Sequence, residues 1–368
     1  MNTPRYFELD WLRVMLIFAV FLHHVFMPFN GDGWHIMNND SSKLLDDIMV
    51  YFEQLRLPTL FFIAGAGSFL LLSKVDSTSF ISSKVKRLLL PLMIGMMFVV
   101  PPQNYFENIG QYSSFTEAYR QLMFSFDANH LWFIEFLIVF MLLAIPIAYF
   151  IRSVPGTRLT LSLAQLVQHK HGFFVIGLLL VAIRAVLKLY YPSQDGKIEN
   201  ISVSLFYLFF FAMGMIFISQ KDAWAALAKH RRTHLAWFVF SSLLFYAYYF
   251  KPDVSLYLSL ETRWQLWWLV CSLVSWSGLL TLMGYASAKC SSTPNWLKQA
   301  NELIYPFYIL HQTVIVWFAF YIVSWQASIA VKSSVLLITS LMFCTLFCYF
   351  VIRPIAPLRL LFGLKPSH

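Results

Sequence analysis

The chain has 368 residues, 59% of them hydrophobic and only 12% charged, with a formal net charge of +9. That composition excludes a water-soluble globular domain of this size, and recurring apolar runs of about 20 residues point to a polytopic α-helical membrane protein. The basic excess does not signal nucleic acid, because Lys and Arg fall in alternate inter-helix loops, a pattern that reports membrane topology.

In chain order the apolar runs predict an all-α bundle of about ten transmembrane helices, near 12–29, 52–73, 88–104, 130–151, 173–191, 202–219, 234–250, 265–287, 303–325 and 333–352. With the N-terminus inside, Arg5, Lys74, Lys84, Lys86, Arg87, Arg152, Arg158 and Lys170 are cytoplasmic, and so are Lys221, Arg231, Lys289 and Arg353 further on. Most acidic residues, among them Asp32, Glu107, Asp127, Asp195 and Asp253, then lie outside, so both termini are expected to be cytoplasmic. Acidic Glu8 and Asp10 stand where a signal peptide carries basic residues, so the first span is expected to be retained. Residues 1–368 read as a single polytopic membrane domain with no appended soluble domain. Cys344 and Cys348 share a helix face, where packing explains them better than a poorly shaped i,i+4 disulfide.

The first span carries Arg13 and His24. Eleven helical steps of about 100° end about 20° past three full turns, so the two side chains share a face, roughly 16 Å apart along the axis. A cation at the membrane surface and an imidazole near the midplane are costly, and such groups mark function. His23 points about 100° away and reads as a packing residue. In the second span, Gly65 and Gly67 read as sites of close helix approach rather than a phosphate cradle. At the start of the third, Lys84 and Arg87 fall on one face beside Lys86, which suits the phosphates of a cytoplasmic donor. Glu135, a few residues into the fourth span, has a depth compatible with His24, and a carboxylate on one ring nitrogen would raise the basicity of the other. Arg184 is a further intramembrane cation, read as either an ion-pair member or part of a polar path. Trp34, His35, Arg56, His130, Trp132, Tyr308 and His311 supply aromatic and hydrogen-bonding groups on the outer side, which suits a polyhydroxyl acceptor as well as an interfacial belt. No Walker loop, no Gly-rich dinucleotide loop and no metal-ligand spacing occur, so no metal is expected.

Leu9-Asp-Trp-Leu-Arg13, followed after ten residues by His24, resembles the opening Arg-x10-His signature of the acyltransferase-3 membrane family. The resemblance continues through Phe52-Glu-Gln-Leu-Arg-Leu-Pro58, Lys84-Val-Lys-Arg-Leu-Leu-Leu-Pro91, His130-Leu-Trp-Phe133 and Tyr305-Pro-Phe-Tyr-Ile-Leu-His311, in family order. Within the family the chain is most similar to the glucan-biosynthesis C branch. The resemblance implies transfer of an acyl group, acetyl or succinyl, from cytoplasmic acyl-CoA to an extracytoplasmic glycan, polysaccharide or other envelope acceptor. It implies His24 as the catalytic base, Arg13 as its motif partner, and Lys84 and Arg87 as holders of the CoA phosphates. In one departure, members with an esterase-like extension place a glutamate five residues after the tryptophan corresponding to Trp132. Here that position is Leu137, so Glu135 rests on depth and chemistry alone.

The expected partners are acyl-CoA (acetyl-CoA or succinyl-CoA) as donor, the glycan acceptor, membrane lipids and a second copy of the chain in a homodimer; nucleic acid is not among them. The expected location is the bacterial cytoplasmic (inner) membrane. The alternative is a transporter or flippase for an anionic or lipid-linked solute, with Arg13 and Arg184 on its path.

Overall fold

The computed structural model describes residues 6–193, 196–251 and 253–365; Arg5 and Asp195, used in the topology reading above, lie outside the described residues. The described residues form helices joined by loops, with no β-strand. The two N-terminal helices are α1 (Phe7–Asn30) and α2 (Lys43–Leu72). The third span, α3 (Ser77–Glu107), is followed by the short α4 (Phe115–Leu122). Next come α5 (Trp132–Arg152), α6 (Val154–Leu166), α7 (Gly172–Tyr190) and α8 (Ile201–Ser219). The remainder are α9 (Lys221–Lys229), α10 (Arg231–Tyr249), α11 (Leu260–Lys289), α12 (Asn295–Ile322), α13 (Ile329–Phe347) and α14 (Ala356–Leu361).

Local chemistry sets many of these starts. Ser114, Ser153, Asn200, Ser259 and Ser328 each turn a side-chain oxygen onto an N–H of the helix that follows, relieving amides that have no intrahelical partner. Helix α2 begins at Lys43 rather than near 52, because Lys43 pairs with Asp46 and Asp47, each at 2.8 Å, and adds polar turns before the apolar run. Among the described residues, nine helices are long and apolar enough to cross a membrane, and each falls on a predicted span. The remaining predicted span, 234–250, is also a helix, α10, but its opening Arg231-Arg-Thr-His234 keeps it out of that set.

By contact the chain divides into two compact units. The first comprises Met1–Arg13, Gln54–Phe80 and Val139–Thr293; the second comprises Val14–Glu53, Ile81–Ile138 and Pro294–His368. In the first unit α2 and α8 approach through reciprocal glycines. A Cβ on Gly65 would lie 1.9 Å from the Phe211 carbonyl oxygen, and one on Gly214 2.0 Å from that of Phe62. Gly67 differs from its sequence reading, since a Cβ there would meet nothing within 4 Å. Helix α11 carries buried Ser272, Ser275, Ser277 and Thr281, whose hydroxyls all donate to carbonyls one turn back, so polar residues cross the interior satisfied. Arg184 forms no ion pair among the described residues; its guanidinium lies 3.8 Å from the Phe206 ring centroid and 4.7 Å from that of Trp268.

In the second unit α3 runs unbroken but widens into π turns at Val85–Leu89 and Gly95–Val99, and a third π turn, Cys348–Ile352, follows α13. Such widenings recur at functional sites. Cys344 and Cys348 are buried and unbridged.

Candidate active site

The second unit brings five helices or loops to one polar cluster. Helix α1 contributes His24, the following loop Trp34 and His35, and the C-terminal end of α3 Gln103 and Glu107. The turn before α5 contributes Asn129 and His130, and α12 contributes Tyr308, His311, Gln312 and Thr313. Asn129 has φ 44°, a left-handed conformation that asparagine tolerates better than other non-glycine residues. Its Oδ1 accepts from the His130 N–H at 2.7 Å and from Gln312 Nε2 at 2.9 Å, which holds the turn in place.

The hydrogen bonds determine where the protons sit. His311 Nδ1 lies 2.5 Å from the Tyr308 carbonyl, which can only accept, so Nδ1 carries the hydrogen and Nε2 the lone pair. His24 Nδ1 lies 2.8 Å from that Nε2 and must donate to it. In neutral His24 the lone pair is therefore on Nε2, the nitrogen that can take a proton from a reacting group. The rings of His24 and Trp34 are nearly parallel, 9° apart with centroids at 6.3 Å, and those of Phe307 and His311 are 5° apart. These faces fix both imidazoles against rotation.

A second chain of amides backs the pair. His130 Nε2 donates to the Ile309 carbonyl at 3.0 Å, leaving Nδ1 to accept from Gln103 Nε2 at 3.3 Å. Gln103 Nε2 also donates to Thr313 at 2.7 Å, and Gln103 Oε1 accepts from Gln312 at 3.1 Å. His35 hydrogen-bonds the Glu107 carboxylate through Nδ1, and its other nitrogen lies 3.0 Å from Gln312 Nε2, whose two hydrogens are shared among His35, Gln103 and Asn129.

Several residues stand differently from their sequence reading. His311, grouped there with the acceptor-facing residues, is 1% exposed and has both ring nitrogens engaged within the protein. His130 and Tyr308 are also buried, the Tyr308 hydroxyl donating to the His130 carbonyl at 2.5 Å. Glu135 is not brought to His24. It makes no hydrogen bond or ion pair among the described residues, and it stands in the first turn of α5, where helix amides favour a carboxylate. Trp132 caps the turn before α5 and packs its ring on Phe136. Arg56 is buried in the first unit. Arg13 shares α1 with His24 but pairs with Asp10 at 3.6 Å, a partner the sequence reading did not name.

Lys84 ends the first α-helical stretch of α3, while Lys86 and Arg87 lie exposed in its first π turn. The one-face placement of Lys84 and Arg87 assumed α-helical spacing, which the wider π turn does not keep. Arg87 Nε reaches the Gly363 carbonyl at 3.4 Å, and Arg353 and Arg359 both pair with Glu302, at 3.4 and 3.1 Å. This end of the second unit is thus strongly basic. Among the described residues no group of three His, Cys, Asp or Glu side chains is arranged to hold a metal ion.

Gln103, Glu107, Asn129, Gln312 and Thr313 were missed from sequence. Their only signal was polarity beside apolar spans, at Pro101-Pro-Gln-Asn and in His311-Gln-Thr.

Comparison with known proteins agrees with the motif order. The chain is 24% identical over 232 residues to the glucans biosynthesis protein C of Salmonella paratyphi B, covering 60% of each chain. It is 25% identical over 235 residues to the protein of that name from Salmonella paratyphi A, again with 60% of each covered. The alignment thus spans about 60% of the length of these curated relatives. No solved structure matches the chain. The family model described as an acyltransferase domain matches residues 6–353, so the chain belongs to that membrane acyltransferase family.

Proposed function

We propose that the protein is an integral membrane O-acyltransferase that moves an acyl group from cytoplasmic acyl-CoA to a hydroxyl of an extracytoplasmic glycan. The observation that carries this reading is the bonded series from His24 Nδ1 to His311 and the Tyr308 carbonyl, which presents the lone pair of His24 Nε2. Family membership supports acyl transfer, and the names of the relatives support a glucan acceptor. The donor is acetyl- or succinyl-CoA, held by the basic end that carries Lys84, Lys86 and Arg87, with Arg13 on the same side of the membrane. The protein sits in the bacterial inner membrane with both termini inside, α10 serving as the tenth crossing.

In the reaction, an acceptor hydroxyl gives its proton to His24 Nε2 as its oxygen attacks the thioester carbonyl. The C–O bond forms, the C–S bond breaks, and the CoA thiolate leaves and recovers the proton. General-base help of this kind is worth about 10²–10⁴-fold, and positioning by the Trp34, His35 and Gln312 groups supplies further acceleration.

Purified protein given acetyl-CoA or succinyl-CoA should release free CoA faster when a neutral glucan is present, and His24→Ala should abolish that increment. Near-normal turnover by the variant would sink the assignment, and transport of label without CoA release would favour a transporter.

A further inference from the structure

The first unit holds a pocket that the histidine chemistry does not use. It has a volume of about 570 Å³ and opens where α7 ends and α11 begins, a size that suits a small ligand. Trp264 and Trp268, one turn apart on α11, form its aromatic wall, their rings 19° from parallel with centroids 5.9 Å apart. Trp268 is buried, whereas Trp264 is 44% exposed.

The cations beside this wall are already engaged. Lys188 donates to the Ser193 carbonyl and holds its ammonium 4.5 Å from the Trp268 ring centroid. Arg184, wedged between Phe206 and Trp268 and not part of the pocket lining, donates through Nη1 to the Ser272 hydroxyl at 3.2 Å, while its buried Nε has no hydrogen-bond partner. The remaining polar wall offers two accepting groups. Glu261 lines the pocket and makes no hydrogen bond or ion pair among the described residues. Gln265 also lines it, and its Oε1 is buried without a hydrogen-bond partner. The buried Gln265 oxygen needs a donor, the exposed Glu261 carboxylate can accept one, and its charge repels an anion. A ligand with hydroxyl donors on its rim and a flat C–H face meets these demands together.

We propose that this pocket is a carbohydrate subsite, in which one neutral sugar ring stacks on Trp264 while its hydroxyls donate to Glu261 and Gln265. A membrane belt accounts for an exposed tryptophan and the start of α11 for a carboxylate, but neither accounts for the orphaned Gln265 oxygen in the wall of the same cavity. The subsite gives the glycan acceptor proposed above a hold that involves none of the histidines. It rests on that reading only for the identity of the glycan as acceptor; binding itself needs no donor.

The test is calorimetric titration of the full-length protein in lipid nanodiscs with a neutral linear glucose hexasaccharide, without acyl-CoA. The wild type is expected to bind; Trp264→Ala should weaken binding about tenfold, and Trp264→Phe should stay within about threefold. Thermal midpoints on the same samples separate a lost contact from a lost fold. No binding by the wild type, or unchanged binding by a folded Trp264→Ala protein, overturns the inference. So does retention of phosphatidylglycerol in native mass spectrometry that is lost in Trp264→Ala and blocks the sugar. Binding without acyl transfer supports the subsite and overturns the reaction; transfer without binding does the reverse.

Discussion

His24 gains its direction from two atoms of α12, the Nε2 of His311 and the main-chain carbonyl of Tyr308. Because the second is a backbone atom, the side chain of Tyr308 is dispensable to the relay. Tyr308→Phe should therefore leave kcat for acyl transfer within about threefold, losing only the bond to the His130 carbonyl. His311→Phe keeps the ring stack on Phe307 but removes the acceptor for His24 Nδ1, and kcat should fall by about 10²-fold or more. The ratio of the two effects is the measurement, and equal losses would refute the tautomer argument. Glu135→Gln is expected to leave the pH profile of kcat unchanged, because no hydrogen bond joins that carboxylate to the imidazole pair.

At the scale of elements, α2 and α8 touch through backbone at Gly65 and Gly214, so a side chain there cannot be accommodated by a rotamer change. Gly65→Ala must part the two helices, and a loss of about 1–3 kcal/mol or more is expected as a lower thermal midpoint in detergent. Gly67→Ala, two residues on, faces open space and should be neutral or slightly stabilising. A second test concerns the start of α3, where the Asp76 carboxylate accepts from the Ser79 side chain and N–H, which hold its pKa below the ordinary carboxylate value. The anion makes that cap, so its contribution is present at neutral pH and is lost as pH falls through the lowered value. Amide protection factors over 77–80, corrected for the intrinsic pH dependence of exchange, should fall on acidification in the wild type and much less in Asp76→Asn, which keeps an accepting oxygen.

For the whole molecule, the sidedness of both termini depends on α10. Its opening basic turn leaves it less apolar than the nine other spans, and if it did not cross, every later loop would change sides. With α10 crossing and the N-terminus inside, Ser255→Cys reacts with an impermeant maleimide in intact cells and Ser292→Cys reacts only after permeabilisation. The reverse pattern, with Ser292→Cys labelled in intact cells and Ser255→Cys only after permeabilisation, would remove α10 from the set of crossings.

The sequence by itself determined the class and the location of the helices and singled out Arg13 and His24 as candidates, since apolar runs and the cost of buried charge are local properties that need no tertiary information. It also gave the correct reading at Gly65, where a small residue in an apolar run implies close approach. It could not choose the partner of His24. Depth favoured Glu135, but depth is one coordinate, and the choice of His311 depends on the rotation of α12 about its axis and on which ring nitrogen faces a carbonyl. For the same reason it read Lys84 and Arg87 as one face, since a π turn leaves no periodic mark. The amides of Gln103, Asn129 and Gln312 became a network only in three dimensions, because their partners lie up to 277 residues away in the chain. Hydropathy placed the helices; the directional bonds between them decided the site.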